Sequence, residues 1–161
     1  MRAFFVSIVG TVIVLAAAVA PATGAPPENP ERVYENPWQP IEISGFHNCN
    51  GETVAITGEY LLRATTRADA SGGTHVSYLF VLRGEGVGLT TGTRYMTNER
   101  IHGQETYPSS GTIAFTSTGS GLYKSSDPAT PDLRYAITIH ATIIPDGTMT
   151  SEVLNITANC D

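Results

Sequence analysis

The chain holds two cysteines, Cys49 and Cys160, and they bracket nearly all of its β-patterned part. Both follow an export leader, so they meet an oxidising compartment, where two thiols with no other partner pair with each other. A bridge requires their Cα atoms to lie within roughly 7 Å. The first strand-rich segment must therefore come back to the last, as when a sheet rolls up until its end strands meet.

The leader is read from residue types. Met1-Arg2 places a positive charge before an uncharged, apolar stretch from Ala3 to Ala20, and Ala20-Pro21-Ala22-Thr23-Gly24-Ala25 follows. A basic start, an apolar centre and an Ala-x-Ala site make residues 1–24 a secretory signal peptide, cleaved after Ala22 or within the next three residues. The length of the apolar stretch keeps an uncleaved N-terminal membrane anchor as the alternative. No cysteine lies near the cleavage region to carry a lipid. The expected location is secreted and extracellular, with the periplasm as the second option. No later apolar run reaches membrane length, so no membrane insertion is expected once the leader is gone.

Without Arg2 the 8 remaining basic residues face 15 acidic ones, a formal charge of −7, and Lys124 is the sole lysine. Such a surface repels nucleic acid and anionic lipid, which removes both from the expected partners. The 137 residues after the leader make one ordinary domain with room for one core.

Residues 25–40 carry Pro26, Pro27, Pro30, Pro37 and Pro40 among acids, the composition of a flexible lead-in. Trp38 within it reads either as a plug for one end of the domain or as an exposed tail residue. Residues 41–161 are β-patterned throughout. In Thr53 to Thr65, Val54, Ile56, Tyr60, Leu62 and Ala64 share one parity, opposite Thr53, Thr57, Glu59, Arg63 and Thr65. That alternation is a half-buried strand. Thr74 to Arg83 puts Val76, Tyr78, Phe80 and Leu82 on one parity against a mixed face of His75, Ser77, Leu79, Val81 and Arg83. Leu133 to Ile144 alternates Leu133, Tyr135, Ile137, Ile139 and Ile143 with polar residues. Shorter candidates run from Thr93 to Gly103, Gly111 to Gly119 and Thr148 to Ala158. Turn chemistry separates them at Asp69 to Gly73, Tyr107 to Gly111 and Pro145-Asp146-Gly147. Gly84, Gly86, Gly88 and Gly92 predict a bulge, a bend or a close backbone approach after Leu82.

Strands in series through tight turns favour a meander, and the terminal cysteines bring its ends together. An immunoglobulin-type sandwich places a tryptophan between its cysteines, whereas Trp38 precedes both. The expectation is an all-β, antiparallel up-and-down barrel of about seven to nine strands, closed near Cys49–Cys160, with a β-sandwich as the alternative.

Cys49-Asn50-Gly51-Glu52-Thr53-Val54-Ala55-Ile56-Thr57-Gly58, Gly72-Gly73-Thr74-His75-Val76, Gly86-Val87-Gly88 and Thr91-Gly92-Thr93-Arg94-Tyr95 resemble segments of a group of small exported bacterial proteins. That group carries a Cys-Asn-Gly-Glu-like start and a terminal cysteine, and the resemblance spans Phe46 to Cys160. It implies a calycin-like, lipocalin-like antiparallel barrel and brings no catalytic residues. The lipocalin Gly-x-Trp signature near the first strand is absent.

The residues offer little chemistry. His47, His75, His102 and His140 show no His-x-His or His-x-x-x-His spacing, so no metal site is expected and isolated, hydrogen-bonded imidazoles are the simpler reading. Glu59, Arg63, Arg83, Glu85 and Arg94 are expected to form outward cross-strand charge pairs, with a polar pocket as the alternative. No Gly-x-Ser-x-Gly elbow or phosphate-cradling loop occurs. Asn155-Ile156-Thr157 matches an N-glycosylation sequon. These observations point to a cofactor-free barrel that holds a small apolar ligand or presents a surface to a protein partner. Tyr60, Tyr78, Phe80, Tyr135, His75 and His140 are the candidate pocket residues. The alternative is a cofactor-free cyclase-like or dirigent-like enzyme acting on an apolar intermediate, which needs His75, His140, Glu59 or an arginine inside. A purely structural cell-surface role predicts a solid core.

Overall fold

The computed structural model describes residues 32–161, so the signal peptide and the first part of the lead-in lie outside the described residues. Eight strands follow in order: β1 (Arg32–Glu35), β2 (Gln39–His47), β3 (Glu52–Ala68), β4 (Thr74–Gly88), β5 (Arg94–Tyr107), β6 (Ile113–Ser125), β7 (Leu133–Ile143) and β8 (Met149–Cys160). All pair antiparallel in one sheet, with β3 to β8 in sequence order. The all-β antiparallel meander is therefore the architecture.

At its start the sheet departs from the expected lead-in. β3 is 17 residues long, and β2 and β1 cover its outer edge one after the other. Residues 32–40 are thus largely strand, broken around Pro37. Pro40 is tolerated because β2 is an edge strand, where a missing N–H need not break a ladder. Trp38 is neither plug nor tail; its ring lies under the Arg83 guanidinium, 4.1 Å from the centroid, on the outer face.

Turn chemistry fixes the hairpins. In the β3–β4 turn the Asp69 carboxylate accepts from the backbone N–H groups of Ser71 and Gly73 at 2.8 and 2.9 Å, and Gly72 takes φ +83°. The β7–β8 turn places Gly147 at φ +86°. Both conformations suit glycine because it has no Cβ to clash.

The run Gly84 to Gly88 does not interrupt β4. It stays in register against Val54 to Gly58, and Gly84 opposes Gly58 with the two backbones in close approach. A Cβ at either residue would meet the facing strand's backbone, so the pair lets the sheet bend sharply. Inward tyrosines use other glycines as seats: Tyr78 lies over Gly103 and Tyr135 over Gly121, its direct cross-strand neighbours. Tyr123 on β6 reaches Gly45 on β2. Four strand spacings in a flat sheet would hold those two strands about 19 Å apart, so the sheet wraps around at this end.

The bridge confirms the wrap. Cys49, in the β2–β3 turn, is joined to Cys160, the last residue of β8, with Cα atoms 5.7 Å apart. Beside it Val54, Ile56, Leu82, Tyr95, Tyr123 and Leu133 form a buried cluster, backed by Ile41, Ile43, Phe80 and Tyr135. The expected hydrogen-bonded closure is not formed: among the described residues no ladder joins β8 to β1 or β2. Two walls of one rolled sheet pack on each other at the bridged end, a sandwich-like arrangement held by sulfur.

Candidate functional site

Directly paired residues of an antiparallel ladder share a face, so the register defines the inner face that carries the core. One cross-strand row of that face reads Leu62, Phe80, Ile101, Gly119, Ile137, Ile156. None of these six is fully buried, although all face inward. Leu154, one row further from the bridge, is 51% exposed. The inner face is thus fully packed at the disulfide end, partly covered along this row, and exposed toward its β8 edge, while Tyr78, Glu105, Ser117 and Ala141 beyond the row are buried.

The structure brings four of the six candidate pocket residues to this face. Tyr60 and Phe80 stack with centroids 5.6 Å apart, and Tyr78 and Tyr135 lie flat over their glycines. The two histidines lie elsewhere. His75 is exposed on the outer face, 3.1 Å from Asp69 Oδ2 and 3.3 Å from Thr106 Oγ1. His140 is exposed beside Thr116 Oγ1, 2.8 Å away. The outward charge pairs are present in part: Glu59 accepts from Arg83 Nε at 2.6 Å, Arg63 lies 3.6 Å from Glu35 rather than from a charge of the expected set, and Glu85 and Arg94 face outward. Solvent screens such exposed pairs to tenths of a kcal/mol. Trp38, Arg83, Met96 and Lys124 also line an outer groove of about 730 Å³ above the Gly58–Gly84 bend. Asn155 is exposed on β8.

Carboxylates on the inner face are what sequence reasoning missed. Glu52, 3% exposed, accepts from Tyr95 Oη and Asn50 Nδ2, both at 2.7 Å, and from Thr91 N and Oγ1 at 3.1 and 3.0 Å. Burial pushes its pKa up, but the bonds from Tyr95, Thr91 and Asn50 together outweigh that and hold it at about 2. The same burial and the Glu52 bond push the Tyr95 phenol up to about 12. This clamp ties the β2–β3 turn to the β4–β5 turn. His47 is fully buried against Tyr95 and Tyr123, with ring centroids at 4.9 and 5.9 Å. Neither ring nitrogen meets a partner in hydrogen-bond geometry, although Asn50 lies beside it, and burial keeps the imidazole neutral by lowering its pKa.

Glu99, 9% exposed, sits one row toward the bridge from the apolar row and accepts from Tyr135 Oη at 2.6 Å. Glu105, 8% exposed, lies two rows beyond it and accepts from Tyr107 Oη. Burial raises the Glu99 pKa more than the Tyr135 bond lowers it. A raised carboxyl pKa contributes stability that is full below its ordinary value of 4.5 and is lost as pH rises through the folded-state value. Glu99→Gln, whose amide oxygen can still accept from Tyr135, is therefore expected to melt higher than the parent at pH 7, with the difference shrinking by pH 4. Thermal unfolding at both values checks this; a variant that melts lower at pH 7 would contradict it.

From β3 to β8 the charges segregate. Arg63, Arg67, Arg83, Arg94, Arg100, Lys124 and Arg134 all fall on the outward parity, while the inward charged positions are Glu52, Glu99, Glu105 and Glu152. Arg32 on β1, exposed at the far rim beside Thr66, is the exception. His75, His140 and Glu59, named for the enzyme alternative, thus lie outside. Arg32 at the rim is the one arginine on the inward parity among the described residues, and acids hold the other inward charged positions. Among the described residues no three His, Cys, Asp or Glu side chains gather as a metal site, and no helix is long and apolar enough to cross a membrane. The disulfide is compatible with an extracellular or periplasmic location. No protein-family model, curated protein or solved structure matches the chain.

Proposed function

We propose that the protein is an exported, non-catalytic binding module whose rolled sheet acts as a calycin-like barrel, closed by its disulfide, and holds a small apolar ligand on its inner face. The row from Leu62 to Ile156 carries this reading, because six inward positions without a single polar side chain remain incompletely covered. A fold that needed only a core would cover that row fully, as it does the residues around Tyr95 and Leu133. Placement of His75, His140 and Glu59 on the outer face leaves the cyclase-like alternative without inward acid–base groups from that set.

Titration of the oxidised protein with Nile red, a neutral lipophilic dye, tests the reading. The expected result is a blue-shifted, enhanced emission that saturates at one dye per chain and weakens several-fold in Phe80→Ser. No enhancement, or an equal one in the variant, would remove the inner face as a ligand site.

A further inference from the structure

Burying a carboxylate in apolar surroundings is costly unless a cation or several donors compensate it. Glu52 has four kinds of donor around it. Glu99 has one hydrogen bond, from Tyr135, and no Lys or Arg lies on the inward parity of β3 to β8. Thr97, the preceding inward position on β5, is 6% exposed and its hydroxyl has no hydrogen-bond partner. An under-compensated carboxylate therefore stands one row from the partly covered apolar row, with an orphaned hydroxyl one row further toward the bridge.

Packing does not require either residue to carry charge. Glu99 pairs across the ladders with Leu82 and Gly121, and a neutral acceptor would satisfy Tyr135 Oη as well. A carboxyl there is an ionisable group of which the fold uses one hydrogen bond, which marks a functional position. The missing partner is a cation, and the partly covered neighbours are apolar.

We infer that the ligand of the inner face is a lipophilic amine, with its alkyl body on the apolar row and its ammonium group at the Glu99 carboxylate. This rests on the inner-face reading above and names the chemistry of its ligand. Charge complementarity selects the occupant: an alkyl carboxylate would bring a second negative charge to Glu99, and an alkyl alcohol would leave the carboxylate without a counter-ion.

Isothermal titration with dodecylamine, dodecanol and dodecanoate, each below its aggregation threshold in physiological salt, tests it on the oxidised protein. The wild type is expected to bind dodecylamine at least tenfold more tightly than dodecanol and to show no dodecanoate binding. Glu99→Gln is expected to bring amine and alcohol within about twofold of each other. Glu85→Gln, which removes a carboxylate from the outer face, is expected to keep the preference. Equal binding of amine and alcohol by the wild type, binding of dodecanoate, or loss of the preference in Glu85→Gln as large as in Glu99→Gln would overturn the amine assignment while leaving the apolar site standing. Failure of all three ligands would end both readings. The wild-type ranking needs no variant to fold, and near-ultraviolet circular dichroism shows whether Glu99→Gln keeps its tyrosine packing.

Discussion

Replacing Cys49 and Cys160 together by serine is expected to cost about 4–5 kcal/mol of stability, the loop-entropy value for a closure of roughly a hundred residues. The two residues are 111 positions apart, so the unfolded chain loses a great deal of freedom when they are joined. The native state also depends on them, because no hydrogen-bonded ladder joins β8 to β1 or β2 among the described residues. For a domain of this size the loss corresponds to a fall in melting temperature on the order of 10–20 °C. Calorimetry of the parent with and without reductant, beside the double serine variant, checks it. Both reduced forms should melt together and well below the oxidised parent. An unchanged melt would mean that the Tyr95–Leu133 core closes the sheet without help.

Glu52→Gln is expected to be the most damaging single polar substitution. Its carboxylate gathers Tyr95 Oη, Asn50 Nδ2 and the Thr91 backbone and side chain, all in a space that Gly88 leaves free. An amide turns its NH2 group toward donors, leaving buried groups unsatisfied at a cost of roughly 2–3 kcal/mol. The pH dependence separates this from simple repacking. The carboxyl pKa in the fold, about 2, lies below its ordinary 4.5, so its contribution is full above 4.5 and disappears as pH falls toward 2. Parent and variant should therefore differ most at neutral pH and converge in that acid window. A constant difference in denaturation midpoint from pH 7 to pH 2.5 would assign the loss to packing alone.

The strand pattern was legible where one parity stays apolar along the segment, even with Ala55, Leu61, Leu79 and Val81 on the other. Val54 to Ala64, Val76 to Leu82 and Leu133 to Ile139 all place their apolar parity inward, as the core and the apolar row show. Four of the candidate pocket residues follow from that parity alone. His75 and His140 lie on the less apolar side of their strands, and the register puts both outside, so parity alone separates them from the four.

Less legible was β5, because Thr97, Glu99 and Glu105 occupy inward positions and dilute its alternation. Polar residues on a core face hide the strand that carries them, and on this sheet they are also the candidate site. Continuity of β4 through Gly84 to Gly88 was hidden for another reason: glycine is a poor strand residue on its own, and its use here becomes visible only when Gly58 is seen opposite Gly84. Barrel closure was inferred from two sulfurs. Such a bridge fixes one pair of Cα atoms and leaves the remaining length of the edge strands free to part.

Amide hydrogen exchange along β8 in the oxidised protein tests that geometry most directly. A sheet paired to β7 on one side only protects alternate amides of β8, so slow and fast residues should alternate from Thr150 to Asn159. Uniformly slow exchange along β8 would mean that a strand covers its outer edge, and the picture of a sheet rolled up and joined at one end by sulfur would be wrong.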